Sequence, residues 1–148
     1  MSPSPYLQTR RRLVAAAPRE IFELLRDPAM HPVIDGSGTV RASNAQGGKL
    51  TLGSEFGMQM RLGVPYRISN TVVEFEQDRL IAWRHFSGHR WRYTLEPVGS
   101  GTLVSETWDA SRLRHKWLLR LMGFTRSTGP NMERTLERLA AQFPDATK

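Results

Sequence analysis

Residues 66–109, YRISNTVVEFEQDRLIAWRHFSGHRWRYTLEPVGSGTLVSETWD, decide the fold because four strand-like runs follow one another with short breaks between them. The runs are Tyr66–Glu76, Leu80–Phe86, Arg90–Glu96 and Thr102–Asp109. Each break is three to five residues long and contains Asp, Gly, Ser or Pro. Breaks of this length join antiparallel neighbours, whereas parallel strands need a much longer crossover. The segment therefore predicts an antiparallel meander.

Upstream of this segment, the sequence predicts three more strands and two short helices. Pro18 suits the first turn of a helix, and Pro28 disfavours helical geometry at Asp27, so this helix ends there. A second helical turn follows and ends before Pro32. The three strands are Leu7–Ala16, Thr39–Asn44 and a run in which Phe56, Met58 and Met60 alternate with Gly57, Gln59 and Arg61.

Downstream, the apolar period changes from two residues to three or four, which indicates helix. A short helix begins near His115 and stops near Gly123, and a long one runs from about Ser127 to Phe143. Because one face of the long helix is apolar, we expect it to pack on the concave face of the sheet. The apolar residues of that face are Met132, Leu136, Leu139, Ala140 and Phe143.

Composition excludes several classes of protein. The 148 residues include no Cys, so there is no disulfide framework, thiol nucleophile or thiolate metal site. No apolar run is long enough to span a membrane, and the first residues lack a signal-peptide pattern. We expect one cytoplasmic domain over residues 1–148, with residues 1–6 disordered.

The formal net charge of +7 raises the possibility of nucleic-acid or anionic-membrane binding, which we keep as an alternative. The positive residues gather at Arg10–Arg12 and between Arg112 and Arg120. Neither a basic stripe with aromatics nor a known reading module accompanies them, so we favour a solvated basic surface. Trp117, Leu118 and Leu121 beside the second cluster allow a peripheral contact with a membrane or a partner.

Several motifs in this order resemble the helix-grip domain of the START-like, SRPBCC or Bet v 1-like superfamily. They are the opening VAAAPREIFELLRDP of Val14–Pro28, then Leu52–Phe56, Arg79–Trp83, Tyr93–Thr102 and the final Leu136–Leu139. They are most similar to the polyketide cyclase/dehydrase-like branch. The resemblance implies an α+β fold in which a curved antiparallel sheet of about seven strands wraps around a long C-terminal helix, with two short helices after strand 1.

The resemblance also implies a cavity for a small hydrophobic ligand that is aromatic, polyketide-like or lipid-like. It does not imply one reaction, because the superfamily includes enzymes, carriers and receptors. Cofactor-independent polyketide aromatase/cyclase or dehydratase activity is therefore the alternative to binding alone. Monomer and homodimer both remain open.

Alternation nominates the residues that face such a cavity, because the ligand would lie between the sheet and the long helix. Met and Trp in these rows suit a flat guest, although plain core packing is the competing interpretation. The predicted ligand-binding residues are Phe56, Met58, Met60, Trp83, His85, Trp91, Tyr93, Trp108, Met132 and Leu136.

Three polar residues in these rows, His85, Tyr93 and Glu106, are the candidates for acid–base catalysis. Among the histidines, His85 is the best placed by alternation, and His89 and His115 are expected in solvent.

Other polar residues receive weaker assignments. His31 and Asp35 are expected near a cavity entrance. The carboxylates Asp35, Glu74, Glu106 and Asp109 have no spacing that defines an acid–base pair, so pairing with Arg is the favoured role.

Motifs for metals and cofactors are absent from the sequence. It contains no HExxH, no GxGxxG or P-loop, and no GxSxG nucleophile elbow. We therefore expect neither a metal nor a cofactor.

Overall fold

The computed structural model describes residues 4–37, 40–45, 48–62 and 64–144, and side chains are described except at 40–45, 58–62 and 65–67. The strands are β1 Leu7–Val14, β2 Val40–Ala45, β3 Glu55–Leu62, β4 Val64–Glu76, β5 Leu80–His85, β6 Arg90–Val98 and β7 Gly101–Asp109. The helices are α1 Pro18–Leu25, a 3-10 turn Pro28–Met30, α2 His31–Ile34, α3 Lys116–Leu121 and α4 Phe124–Ala141.

One antiparallel, curved sheet contains all seven strands in the order β1-β7-β6-β5-β4-β3-β2. Strands β2 to β7 form the predicted meander, and β1 pairs with β7 over its full length, from Leu7 opposite Asp109 to Val14 opposite Thr102. The prediction of a helix-grip α+β fold is confirmed.

A bulge in β4 places two residues that are three positions apart on the same face of the strand, toward the core. The pairing register between β4 and β5 shifts between Val72 and Glu74. Val72 and Phe75 therefore both face the core, where Phe75 makes an edge contact with Phe22 of α1. Glu74 instead binds Arg92, with 2.8 Å between Oε2 and Nη2.

The hydrophobic core lies between the inner face of the sheet and helices α1 and α4. Helix α1 buries one side, as its apolar spacing predicts, and α4 buries residues spaced by three and four. Buried members of this core are Ile21, Phe22, Leu25, Val72, Ile81, Leu95, Val104, Leu136 and Leu139.

Several element boundaries differ from the sequence-based prediction by one to three residues, among them the starts of β4 and α4. Val64 already pairs with Leu62, so β4 begins two residues before Tyr66. Helix α4 begins at Phe124 rather than Ser127, because Gly123 adopts a left-handed φ of 86° and its carbonyl accepts bonds from the next turn. Pro130 lies inside α4, and it lacks an N–H but does not end the helix.

The short loop after α2 is held against α4 by hydrogen bonds between backbone atoms of the loop and side chains of the helix. The Gly36 amide donates to Thr135 Oγ1 at 2.8 Å, and Arg134 Nε donates to the Gly36 carbonyl at 2.9 Å. Arg138 donates to the carbonyl of Asp35. These bonds fix the loop, and with it Asp35, against the helix that covers the inner face.

Candidate functional site

Trp83 of β5 is the centre of an aromatic group on the inner face of the sheet. Its buried ring stacks on His31 of α2 with centroids 5.0 Å apart. It also makes an edge contact with Phe56 of β3 at 5.6 Å and a tilted contact with Tyr93 of β6 at 5.6 Å. Side chains from four elements therefore meet at one indole.

His31 is held in one tautomer by the backbone. Its Nε2 lies 2.9 Å from the carbonyl oxygen of Leu25, and because a carbonyl only accepts, Nε2 carries the hydrogen. Burial lowers the pKa of His31 below its ordinary 6.5, so the ring is neutral near pH 7. Its Nδ1 is thus a buried acceptor, and it has no hydrogen-bond partner among the described residues. The ring lies inside the aromatic group, deeper than the cavity border that the sequence suggested.

Tyr93 and Glu106 form a buried pair across neighbouring strands. The two residues are directly opposite in the β6–β7 register, and Tyr93 Oη donates to Glu106 Oε2 at 2.7 Å. Burial raises the pKa of Glu106 to about 8; the charge of Asp35 acts in the same direction and the bond from Tyr93 against it. Burial also raises the pKa of Tyr93 well above 10. Both groups are therefore mainly protonated near pH 7.

The second carboxyl oxygen of Glu106, Oε1, is buried without a partner in the described part of the chain. Since Oε2 accepts the Tyr93 hydroxyl, the acid proton is left for Oε1. At neutral pH Glu106 thus presents a hydrogen-bond donor to the inner face.

Asn70 of β4 is a polar residue that the sequence analysis does not nominate. It lies opposite Phe56 in one register and opposite His85 in the other, which places it on the inner face. Its side chain is buried, and Nδ2 has no partner within the described structure. A single amide in the row Ile68-Asn70-Val72 is the signal that identifies it.

His85 belongs to a different group at the turn between β5 and β6. Its ring stacks on His89 at 4.4 Å, and its Nδ1 lies 2.6 Å from Ser87 Oγ. Burial lowers the pKa of both rings, that of His89 to about 3 with a further contribution from His85. His89 is half-buried, with its ring 6.0 Å from that of Trp108, rather than in solvent as the sequence suggested. No described contact joins His85 to Tyr93 or Glu106.

The remaining predicted ligand-binding residues divide between two clusters. Leu136 belongs to the core around Trp83, whereas Trp108 and Met132 form a second buried cluster. Trp91 packs against both and lies 6.4 Å from Trp108, ring to ring. The side chains of Met58 and Met60 lie outside the described residues.

Of the other carboxylates, Glu74 is paired with Arg92, as expected for a residue outside the site. Asp109 accepts hydrogen bonds from the amide and hydroxyl of Ser111, which outweigh burial and lower its pKa. Asp35 accepts from the hydroxyl and amide of Ser37. The negative charge of Asp35 also helps to raise the pKa of Glu106, and the spacing of the two residues in the sequence does not predict this interaction.

Among the described residues, no group of three or more His, Asp or Glu could hold a metal ion. In the same part of the chain, no helix is both long and apolar enough to cross a membrane.

Comparison with known proteins gives a family match and close relatives. A model of the family described as polyketide cyclase/dehydrase and lipid transport matches residues 8–144. The uncharacterised protein Rv0088 of Mycobacterium tuberculosis is 38% identical over 136 residues, which cover 88% of this chain and 61% of the relative. A protein from a second strain is 37% identical over the same shares. The chain thus spans about six-tenths of the length of these curated relatives.

Solved structures agree on the fold. A protein from Chromobacterium violaceum has a TM-score of 0.69 at 16% identity, covering 94% of this chain and 99% of its own. Ginseng major latex-like protein 151 from Panax ginseng has a TM-score of 0.64 at 10% identity, covering 92% and 95%. Together with the family-model match over residues 8–144, these structures confirm the START-like, SRPBCC assignment.

Proposed function

The chain belongs to the polyketide cyclase/dehydrase and lipid transport family, and on that premise we propose that it binds a small, largely aromatic ligand at Trp83. The ligand lies between the inner sheet face and α4. Family membership supports a ligand-binding domain, and the residues around Trp83 supply the reason for this location.

The observation that carries the proposal is a set of three buried polar atoms that have no hydrogen-bond partner among the described residues. They are His31 Nδ1, Asn70 Nδ2 and Glu106 Oε1. Leaving one such atom unpaired costs about 1–3 kcal/mol, and folded proteins rarely tolerate it. Three of them beside one aromatic group are typical of a binding site, where a guest completes the hydrogen bonds.

The aromatic group around Trp83 favours a binding site for a flat ligand over simple core packing. His31, Phe56 and Tyr93 meet Trp83 with interplanar angles of 23°, 85° and 38°, so the rings of the group are presented in different orientations. Such rings make large contacts with planar molecules.

The test is titration of the protein with the neutral probe N-phenyl-1-naphthylamine, followed by its fluorescence. We expect saturable binding with one probe per chain, and at least a tenfold weaker Kd in Trp83→Leu. Trp117→Leu is the matched control, because Trp117 is 56% exposed, and its Kd should stay within twofold. Circular dichroism confirms that each variant is folded, and Phe56→Leu is a milder second variant. Absent saturation, or equal affinity in all variants, would contradict the proposal.

A second candidate function is proton-transfer catalysis without a cofactor, and the protonated state of Glu106 favours it. In a β-hydroxy ketone, His31 Nδ1 would take the α-proton while Glu106 gives its proton to the leaving hydroxyl. A C=C bond forms, the C–O bond breaks and water leaves, so the step balances. Tyr93 would position Glu106. His31 replaces His85 in this scheme, because His31 contacts the Trp83 group and no described contact joins His85 to it.

Dehydration of 4-hydroxy-4-phenylbutan-2-one to the conjugated ketone, followed by absorbance, tests this candidate. Turnover lost in Glu106→Gln with binding retained would support catalysis. If turnover is unchanged in Glu106→Gln and in Tyr93→Phe, neither residue takes part in catalysis. If the protein of natural sequence shows no turnover, catalysis is excluded for this substrate and the binding function is the one that stands.

A further inference from the structure

We infer that the ligand of the Trp83 group is a hydroxyl-bearing aromatic, of phenol or enol type, and that its hydroxyl meets His31, Asn70 and Glu106. This inference rests on the proposed function and specifies its ligand. It follows from which of the three buried atoms donate and which accept.

The three atoms comprise one acceptor and two donors. His31 Nδ1 accepts, because Nε2 of the same neutral ring donates to the Leu25 carbonyl. Asn70 Nδ2 is an amide donor. Glu106 Oε1 is a donor, because Tyr93 occupies the other oxygen of a protonated carboxyl group.

A hydroxyl group matches this set in number and sense, since it has one hydrogen to donate and two lone pairs to accept. A carboxylate or phosphate only accepts, leaves His31 unpaired and places a negative charge near Asp35. A carbonyl satisfies the donors but not His31, and an ammonium satisfies only His31. A bare hydrocarbon leaves all three atoms unpaired.

The three residues lie within one neighbourhood. His31 contacts both Trp83 and Phe56, and Asn70 is the direct cross-strand neighbour of Phe56. Tyr93 contacts Trp83 and donates to Glu106. Each polar group therefore adjoins a member of the same aromatic group.

Four probes of one shape test the inference: naphthalene, 2-naphthol, 2-naphthylamine and 2-naphthoate, with Kd taken from quenching of tryptophan fluorescence near pH 7. We expect 2-naphthol to bind at least tenfold more tightly than naphthalene, and 2-naphthoate to bind no better than naphthalene. Asn70→Leu and His31→Phe should each reduce the preference for 2-naphthol at least threefold. His31→Phe keeps an aromatic ring beside Trp83, and His115→Phe, at an exposed histidine, is the control that keeps the preference.

The outcomes separate this inference from the proposed function. If none of the probes binds, the proposed function fails. If all four bind equally, or 2-naphthoate binds best, the hydroxyl assignment fails while binding at Trp83 stands. A preference for 2-naphthol that survives both substitutions also overturns the assignment.

A second, independent inference concerns α3, whose apolar residues point outward. Trp117, Leu121 and Met122 are 56%, 77% and 69% exposed, and Leu119 instead packs against the Trp108 cluster. We infer that this helix, together with its flanking basic residues, docks on an anionic lipid bilayer.

Charge and chemistry select a bilayer as the occupant. Residues 111–131 contain five Arg or Lys and no Asp or Glu. Arg112, Arg114, Arg120 and Arg126 are exposed. Anionic headgroups match this charge, and the acyl boundary accommodates Trp and Leu side chains, which a nucleic acid does not.

Co-sedimentation with phosphatidylglycerol and phosphatidylcholine vesicles tests this docking. We expect binding to phosphatidylglycerol that weakens as NaCl rises, and at least tenfold loss in the Trp117→Ser/Leu121→Ser variant. Leu13→Ser is the control, because Leu13 is 60% exposed on β1, and its binding should not change. Equal binding to both vesicles overturns the inference. So does a homodimer that the double substitution dissociates, since a second copy would then cover α3.

Discussion

Asn70 carries a buried amide on the inner face of the sheet. Replacing it distinguishes whether polar groups on this face stabilise the fold or bind a ligand. In the protein without ligand, its Nδ2 contributes no hydrogen bond among the described residues. A leucine of similar size would remove the unpaired donor and add apolar contact. We therefore expect Asn70→Leu to raise the free energy of unfolding by about 1–2 kcal/mol while 2-naphthol binding falls.

Urea unfolding of the two proteins checks this expectation. Ile68→Leu on the same strand controls for a generic change in packing and should shift stability by less than about 1.5 kcal/mol. A destabilised Asn70→Leu protein would show that the amide is a structural residue.

Glu106 predicts a pH dependence whose sign follows from its raised pKa. The folded-state pKa is about 8 against an ordinary 4.5, so the folded protein retains a proton that the unfolded chain releases between these values. Stability from this group is complete below pH 4.5 and is lost as pH rises toward 8, by up to ~1.4 kcal/mol per pH unit. Glu106→Gln does not titrate, so it should gain stability relative to the natural sequence through this window.

Urea unfolding near pH 5 and near pH 8 measures the difference between the two proteins. We expect the difference to grow by a few kcal/mol at the higher pH. A constant difference would mean that Glu106 is ionised in the folded protein. The lowered pKa of His31 changes the free energy of unfolding below pH 6.5 by the same amount in both proteins, so it does not affect the difference between them.

At the residue scale, sequence alternation correctly placed Trp83, Tyr93 and Glu106 on one face, because side-chain direction in a strand follows local order. It did not reveal the position of His31, since no local pattern states where a short helix packs on a sheet. Asn70 was predictable in principle, because it is the single amide in the alternating row Ile68-Asn70-Val72.

At the element scale, the loop after α2 requires glycine at position 36. A Cβ there would overlap the Asn131 carbonyl and the Thr135 amide, which are helix backbone atoms that cannot move aside. We expect Gly36→Ala to lower the free energy of unfolding by about 2–3 kcal/mol.

Gly129→Ala is the matched control for this prediction, and both proteins are compared by urea unfolding. A Cβ at residue 129 would meet the guanidinium of Arg10, which is the end of a flexible side chain. Helix propensity favours Ala by about 1 kcal/mol, whereas Pro130 crowds a Cβ on the residue before it and the exposed Arg10–Glu133 pair is lost. We therefore expect Gly129→Ala to cost less stability than Gly36→Ala. Equal losses in the two variants would contradict the close-approach explanation.

The boundaries of some elements could not be predicted from local sequence patterns. The start of α4 was predicted three residues late, because Gly123 in a left-handed conformation allows a new helix immediately after α3. The bulge in β4 was not predictable either, since an alternating pattern does not show where one strand gains a residue over its neighbour.

At the scale of the whole molecule, the meander and the final amphipathic helix were predictable because each strand pairs with the next one along the chain. Among the described strands, β1 is the one that pairs at long range, with β7, and the predicted order of elements does not specify that pairing. The division of the inner side into a Trp83 core and a Trp108 cluster arises from packing that no single element encodes.

Binding at the Trp83 group is tested most directly by nuclear Overhauser contacts in the complex of isotopically labelled protein with 2-naphthol. Contacts from the probe to ring protons of Trp83 and His31 are predicted, together with shifted Asn70 side-chain amide signals. Contacts confined to the exposed Trp117, or no contact with Trp83 at saturating probe, would contradict a binding site on the inner face.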